Sequence, residues 1–211
     1  MNRLMAGMIV AAGALLAGSC ATMSEDQCRV ADWGGQGLRD GSAGLPMSRL
    51  DDHAKACAKH GVAPDLTPYR SAREDGLRSY CRLERGFEEG RRGRGYHGVC
   101  RAEEEAEFLP AFHDGSRLHA AESALESASS ELNSAVAWIE DREDKLQAKQ
   151  RELGEEGKTD AERVRIRERI QEVRGELREA RRRARDAERA LEWARVEADR
   201  VRFDLLGRYP V

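Results

Sequence analysis

The residues best suited to chemistry in this sequence are two histidines and a cysteine in its first third. His53, Cys57 and His60 have a His-x-x-x-Cys-x-x-His spacing, which places all three side chains on roughly one face of a helix. Such a face could hold a metal ion. A disulfide at Cys57 with exposed histidines is the favoured interpretation for an exported chain, so we expect no metal site and no cofactor.

A second cluster, in the run 91–94, could bind an anion. A guanidinium group suits both phosphates and carboxylates, so Arg91, Arg92 and Arg94 are candidate ligands for an anionic polymer or lipid of the cell envelope. The alternative is a solvated loop that faces the nearby Glu88 and Glu89. This alternative is favoured because exposed ion pairs are common and weak.

No arrangement typical of an enzyme accompanies these clusters. The sequence has no serine nucleophile elbow, no phosphate-binding loop and no zinc-protease helix. His113 and His119 are expected to be solvated or to cap helices. We therefore predict a protein without catalytic activity. The net charge of −3, with acids and bases interleaved, gives no electrostatic reason to expect nucleic-acid binding.

The N-terminus is typical of a bacterial lipoprotein signal. Arg3 precedes an uncharged apolar run over residues 4–17, which is too short to span a bilayer comfortably, and Gly18-Ser19-Cys20 follows. We predict that residues 1–19 are removed, that Cys20 is lipidated, and that the protein is anchored in the outer membrane facing the periplasm. Cleavage near Ala21, which would give a soluble periplasmic protein, is the alternative.

Four cysteines remain for disulfides if Cys20 carries the lipid. Cys28, Cys57, Cys81 and Cys100 allow three connectivities. A Cys81–Cys100 bridge would close a loop of about 20 residues and contribute on the order of 2–4 kcal/mol. This bridge, with Cys28–Cys57 as its companion, is the favoured pairing.

The elements that must position these residues are helices, and the clearest ones lie in the second half of the chain. Over residues 116–206 the apolar positions recur in alternating steps of three and four, which indicates two helices that meet through an a/d seam. The break between them, at about 154–159, is short and polar, which favours an antiparallel hairpin. A parallel intermolecular coiled coil is the rival, and it would stack alanine on alanine in several layers.

The hairpin predicts which residues face each other. Folding the chain about the turn sets Leu118 against Ala194, so that a large residue meets a small one. It also sets Ala128 against Ala184, where we expect the closest helix approach. We expect the end of the second helix to overhang the first and to contact the segment around Phe108 and Phe112. The residues at this end are Val201, Phe203, Leu205 and Leu206.

The segment 28–115 is predicted to be a small helical domain with a weak internal repeat. A [Gly/Ala]-x-x-Asp-Gly unit occurs at 37–41, 72–76 and 111–115, each time after an aromatic residue. Two small residues four positions apart on a helix let another backbone approach closely. Close helix contact is therefore favoured over the alternative that the three Asp-Gly units line a ligand site.

The domain resembles a known family. The residues that carry the resemblance are Cys28, Asp32-Trp33, Asp40-Gly41, the run from Cys57 to Asp65, Gly76-Leu77, Tyr80-Cys81, Gly86-Phe87, Gly90, Gly93, Tyr96 and Val99-Cys100. Over about residues 24–120 this pattern resembles a family of uncharacterised Gram-negative lipoproteins, catalogued as domain of unknown function 2799. The resemblance implies export, a lipid anchor and a cysteine-bearing helical domain, and it implies no activity.

The sequence thus predicts an all-α protein in which a small disulfide-bearing domain precedes a long antiparallel coiled-coil hairpin. The predicted segments are the signal peptide (1–19), the lipidated cysteine with a tether (20–27), the domain (28–115), the hairpin (116–206) and a tail (207–211).

The favoured function is a non-enzymatic structural or protein-interaction module of the cell envelope, with a membrane anchor and a protein partner. The alternative is a binder of an anionic envelope polymer or lipid through Arg91, Arg92 and Arg94. A third and less favoured hypothesis is a metal-binding or enzymatic domain around His53, Cys57 and His60. Trp138 and Trp193 lie beside the seams, where they either shield the hairpin core, as we expect, or mark a docking surface.

Overall fold

The computed structural model describes residues 22–209, and the regular secondary structure of that part is entirely α-helical. The predicted all-α fold with a terminal hairpin is confirmed. The predicted signal peptide, Cys20 and the last two residues of the tail lie outside the described residues. The helices are α1 (Glu25–Val30), α2 (Trp33–Ser42), α3 (Arg49–Ala58), α4 (Leu66–Tyr80), α5 (Leu83–Arg91), α6 (Ala102–Gly154) and α7 (Asp160–Leu205).

The hairpin turn follows local sequence signals. Thr159 caps α7, because its hydroxyl accepts a hydrogen bond from the backbone N–H of Glu162, and the Glu162 carboxylate accepts one from the backbone N–H of Thr159 in return. Gly154 is the last helical residue of α6. The left-handed backbone conformation falls instead at Gly157, with φ of 81°.

Two helix starts in the domain differ in their caps. Ser48 precedes α3 but forms no capping hydrogen bond with its side chain. Helix α4 begins at Leu66 instead of after Thr67, because the carboxylate of Asp65 accepts a hydrogen bond from the backbone N–H of Thr67 at 3.0 Å. The aspartate two residues upstream is therefore the cap.

The first helix pair of the domain is held together by glycines. Helix α2 lies against α4 so closely that a Cβ atom on Gly37 would collide with the carbonyl oxygen of Tyr69, and one on Gly41 with that of Arg73. A Cβ on Gly76 of α4 would lie 2.5 Å from the carbonyl oxygen of Leu38. Only glycine allows two helix backbones to come this close.

The second helix pair repeats this arrangement. Helix α5 lies against the start of α6, and a Cβ on Gly86 would lie 2.6 Å from the carbonyl oxygen of Phe108. Cβ atoms on Gly90 and Gly115 would collide with carbonyl oxygens of the facing helix in the same way as those on the first pair. The likeness extends to the loops, where a left-handed Gly44 lies under the ring of Tyr80 and a left-handed Gly93 lies under the ring of His119.

These contacts correct the predicted three-unit repeat. The segments 72–76 and 111–115 are equivalent, since both lie on the second helix of a pair. The segment 37–41 lies on a first helix and corresponds instead to 86–90, where Glu89 replaces the aspartate. The domain therefore contains two helix-pair units, and the Asp-Gly units serve helix contact, as favoured.

Two disulfides close the domain. Cys28–Cys57 joins α1 to α3 with a Cα–Cα distance of 5.3 Å, and Cys81–Cys100 joins the end of α4 to the segment before α6 with 5.6 Å. This is the pairing favoured from the sequence. Each bridge closes a loop that the small hydrophobic clusters of the domain could hold only weakly.

Helix α6 belongs to both parts of the molecule. It runs without interruption from Ala102 to Gly154, so the predicted boundary at 115/116 falls inside one helix. Pro110 lies within this helix, a little over two turns from its start. At about 1.5 Å per residue α6 is roughly 80 Å long and α7 roughly 70 Å. The domain and the hairpin are joined by this helix and not by a flexible linker.

The two arms of the hairpin pair in a different register from the predicted one. Leu118 clusters with Ala198, Val201 and Leu205 and does not lie opposite Ala194. The pair Arg117–Asp204 shows that the register is shifted by about nine residues, roughly two and a half helical turns. Salt bridges between the arms agree with this register, among them Glu122 with Arg202 at 3.1 Å. The predicted register was wrong because the prediction folded the chain about a residue before Gly157, which is too early in the sequence.

The end of α7 docks on the domain with only half of the predicted residues. Val201 and Leu205 are buried in one cluster with Phe87 of α5 and with Ala111, which lies in the predicted segment around Phe108 and Phe112. Phe203 is 77% exposed and Leu206 is 75% exposed, so the prediction that they pack on the domain is wrong. Tyr209 completes the contact by stacking on Phe87, with ring centroids 4.2 Å apart.

The buried Tyr80 predicts a loss of stability at alkaline pH. Its ring lies against Phe108 with centroids 5.1 Å apart, and burial raises the pKa of Tyr80 from 10.0 to about 12. A raised folded-state pKa means that the stabilisation is complete below pH 10 and is lost as the pH rises towards 12. We expect Tyr80 to account for about 2–3 kcal/mol of that loss.

The measurement is the free energy of unfolding of wild type and Tyr80→Phe by denaturant titration at pH 8 and pH 11. The variant should lose less stability between the two pH values than wild type does. Equal losses in the two proteins would contradict the assignment. Burial also raises the pKa of Tyr69, Tyr96 and Tyr209, so some alkaline loss remains in the variant.

Candidate partner-binding groove and buried polar clusters

The structure does not bring His53, Cys57 and His60 together as metal ligands. The sulfur of Cys57 is bonded to Cys28, so it cannot act as a thiolate ligand. His53 is 1% exposed and turned into the domain, while His60 lies near the surface with its Nδ1 3.7 Å from a carboxylate oxygen of Glu25. The disulfide favoured at Cys57 is therefore present, whereas the expectation that His53 is exposed is wrong.

His53 belongs instead to a polar network centred on the buried Asp40. The carboxylate of Asp40 accepts hydrogen bonds from the hydroxyl of Tyr69 at 2.7 Å and from the amide of Gln36 at 2.9 Å. Nε2 of His53 lies 2.7 Å from the same carboxylate. Because a carboxylate can only accept, this nitrogen carries a proton. Burial and the bond to Asp40 raise the pKa of Tyr69, which keeps its phenol neutral and donating.

The network continues to the N-terminal end of the described chain. Nδ1 of His53 lies 2.7 Å from the hydroxyl of Thr22, and the next residue, Met23, is buried against Cys57. A hydroxyl, an imidazole and a carboxylate in line is an order that can activate a nucleophile. Here the imidazole is buried and its groups satisfy one another, so we interpret the network as a fastening for residues 22–24.

This network corrects the predicted tether over residues 20–27. Thr22 and Met23 are held by α3, and Ser24 already caps α1 with a reciprocal bond to Gln27. The sequence signal for the cap was present in Ser24-Glu25-Asp26-Gln27. No sequence signal joined Asp40 to His53 and Thr22, because the three residues meet only in the folded chain.

Two arginines of the cluster pair with a buried carboxylate of the domain. Glu89, the counterpart of Asp40 in the second helix pair, is 1% exposed and lies 3.0 Å from a guanidinium nitrogen of Arg85, 3.5 Å from Arg92 and 3.1 Å from Arg94. Arg91 is exposed on the last turn of α5. Two of the three predicted anion ligands therefore pair with a carboxylate of the protein itself, as in the loop interpretation favoured from the sequence.

The hairpin carries a shallow groove between its two arms, which we call the hairpin groove. Its floor consists of small residues, Ala121, Ala124, Ser127 and Ala128 from α6 with Ala187 and Ala190 from α7. Trp138 lines the end nearer the turn, and Trp193 lines the end nearer the domain. Glu131 lies between them on α6.

The two tryptophans have different surroundings. Trp138 is partly buried, and the guanidinium of Arg183 lies over its ring at 4.5 Å from the centroid. Trp193 is 74% exposed. The expectation that both rings shield the hairpin core therefore fails for Trp193. A large exposed indole beside a groove of small residues is typical of a docking surface, which was the alternative interpretation.

The domain leaves the hairpin groove open. Helix α5 contacts α6 around Phe108, Phe112 and Gly115. Glu131 follows Gly115 by about 16 residues, which at 100° per residue is roughly 160° around the helix. The groove and α5 are thus on different sides of α6. None of the helices in the described part of the chain is both long and apolar enough to cross a lipid bilayer.

Comparison with known proteins agrees with the predicted resemblance. Residues 32–117 match the family described as "Protein of unknown function (DUF2799)". The match begins at the cap of α2 and ends at Arg117 in α6, so it covers both helix pairs and leaves most of the hairpin outside. Neither the curated proteins nor the solved structures contain a significant match to the chain.

Proposed function

We propose that this chain, whose domain matches a family of unknown function, is a non-enzymatic interaction module of the bacterial cell envelope. In this proposal Cys20 carries a lipid anchor in the outer membrane. The domain lies at the membrane surface on the periplasmic side, and the hairpin projects from it to bind protein through the hairpin groove.

The exposed Trp193 beside the hairpin groove is the observation that carries the proposal. Its indole contributes a large apolar surface at small entropic cost, which is why tryptophan is common at the centres of protein interfaces. The floor of Ala124, Ser127 and Ala190 lets another helix approach closely. An apolar ring that is left in water at 74% exposure gains free energy when a partner covers it.

One further observation supports the envelope location, and another bears on how close an anchor would hold the domain to the membrane. The disulfides Cys28–Cys57 and Cys81–Cys100 suit an oxidising compartment. Thr22 is fastened to the domain, and Cys20 precedes it by two residues. An anchor on Cys20 would therefore hold the domain within roughly 7 Å of the lipid, since an extended chain spans at most about 3.6 Å per residue.

The anionic-ligand alternative has less support. The guanidinium groups of Arg92 and Arg94 face the buried Glu89, and an external phosphate would have to compete with that carboxylate. Removing either arginine leaves a buried charge with fewer partners, so these residues have a structural role to which an anion site would be additional.

The proposal predicts crosslinks from one side of the hairpin in living cells. A photo-reactive amino acid in place of Trp193 should give protein adducts on irradiation, because the groove is occupied in the cell. The same amino acid in place of Ala137, an exposed residue of α6 outside the groove, is the matched control and should give few or none. The readout is an immunoblot of cell envelopes before and after irradiation.

Two results would overturn the proposal. Absence of adducts from position 193, in cells where the protein is made and exported, would leave the groove without a binding role. Equal adduct yields from positions 193 and 137 would show that the contacts are random collisions.

A further inference from the structure

We infer that the hairpin groove binds a second copy of this chain, with the two hairpins side by side and parallel, α6 of each copy lying on α7 of the other. This rests on the proposed function, which makes the groove a binding surface, and it adds the identity and orientation of the occupant. The inference rests on how the residues of the two arms pair: opposite charges lie at the same height, and large residues lie at the same height as small ones.

A parallel arrangement has a simple geometric consequence. Its two-fold axis runs along the hairpin, so residues of α6 meet the residues of the second copy's α7 that lie at the same height. Contacts across the arms of one chain show which residues share a height. Arg117 lies 3.6 Å from Asp204, Arg142 pairs with Glu176, and Arg183 lies over Trp138.

Charge is complementary at each of these heights. In the parallel pair Arg117 faces Asp204 of the second copy at the domain end, and the partly buried Arg142 lies at the height of Glu176 near the turn. Between them Trp138 faces the guanidinium of Arg183 of the second copy, a cation–π contact like the one within the chain. Opposite charges that alternate around four helices fix register and orientation.

Size is complementary at the middle of the groove. Trp193 shares its height with Ala124, Ser127 and Ala128, whose small side chains leave space for an indole of the second copy. Glu131 shares its height with Ala190, so the two Glu131 carboxylates do not meet, although each lies about one helical turn from the groove residue Asp186 of the second copy. Large side chains over small ones are what interdigitating helices need.

The antiparallel pair fails on the same residues. A two-fold axis across the hairpin at Ala190 would place α6 on α6 and bring Glu131 against Glu131 of the second copy. It would also bring Asp204 towards Glu176 and Arg117 towards Lys145. Like charges that face each other destabilise an interface. The charge pattern therefore selects the parallel pair.

The rest of the molecule is compatible with the parallel pair. The domain is packed on the side of α6 that carries Gly115, away from the groove. Both domains then lie at the same end of the assembly, with both Thr22 residues at that end. Two lipid anchors could enter one membrane, as the proposed function requires.

Sedimentation equilibrium of the full chain, purified from membranes in density-matched detergent, tests self-association. We expect a species of twice the monomer mass. Ala190→Glu puts a carboxylate at an exposed helix position that faces Glu131 of the second copy, and it should weaken association at least tenfold, with an unchanged far-UV circular dichroism spectrum. Ala137→Glu, the same substitution at an exposed position of α6 outside the groove, should leave association unchanged.

Photo-crosslinking at position 193 in the purified protein tests the orientation. The adduct band of twice the monomer mass should contain the bond on α6 of the second copy, within residues 118–142. A bond on α7 would show the antiparallel pair and overturn the inference. A monomer at all soluble concentrations would also overturn it, and if cells still gave adducts of position 193 with a different protein, the proposed function would stand without it.

Discussion

Replacing Gly41 with alanine is expected to lower the free energy of unfolding by about 2–3 kcal/mol, a large part of the stability of a small domain. The added Cβ would collide with the carbonyl oxygen of Arg73, which is backbone and cannot turn aside. Helices α2 and α4 would have to separate, and the cluster around Tyr69 would lose contact with them. Gly90→Ala should act in the same way on α5 and α6, because its Cβ would collide with the carbonyl oxygen of Phe112.

A glycine in open space makes the matched control. Gly175 lies within α7, where a Cβ would meet only the end of the Arg178 side chain at 3.8 Å. Gly175→Ala should therefore raise the free energy of unfolding by up to about 1 kcal/mol, since alanine loses less backbone entropy in a helix. Denaturant titration of the three variants gives the comparison. The same sign of effect at 41 and 175 would contradict the close approach of the two backbones.

Replacing Asp40 with alanine is expected to cost about 3–5 kcal/mol, because it leaves buried donors without an acceptor. The hydroxyl of Tyr69, the amide of Gln36 and Nε2 of His53 all direct hydrogens at this carboxylate. The loss should also free the N-terminal segment, since His53 holds the hydroxyl of Thr22.

Asp75→Ala is the matched control for Asp40→Ala, because it removes the aspartate of another Asp-Gly unit. Asp75 is exposed and pairs with Arg78 on its own helix, so its loss should cost less than about 1 kcal/mol. Chemical denaturation measures both effects, and hydrogen exchange of residues 22–28 reports the release of the segment. Similar costs at positions 40 and 75 would show that the buried network contributes little.

The elements that could be predicted from the sequence are those that depend on local or periodic signals. The hairpin follows from a seam repeated over many turns, and the start of α7 follows from a capping residue, Thr159 or Asp160, after a short polar break. The disulfides were favoured from the even number of cysteines and the short loops between them. Each of these signals lies within a short stretch of chain, or within a pattern long enough to tolerate errors.

The remaining features depend on contacts between distant segments. The correspondence of 37–41 with 86–90 was hidden because Glu89 replaces aspartate, and only the shared contact of Gly41 and Gly90 with a facing backbone shows it. The roles of Asp40 and Glu89 as buried acids depend on donors from other helices. The register of the arms depends on how far α7 reaches onto Phe87, which no periodicity specifies.

Because α6 is continuous, it connects the domain directly to the tip of the hairpin. At Gly115 its domain end packs closely against the backbone of α5, and its other end lies roughly 60 Å away at Gly154, at about 1.5 Å per residue. A tilt of about 5° at the clamp would move the tip by about 5 Å over that length. A force on the tip therefore acts on the glycine contacts between α5 and α6. The contacts that stabilise the domain also determine the direction in which the hairpin points.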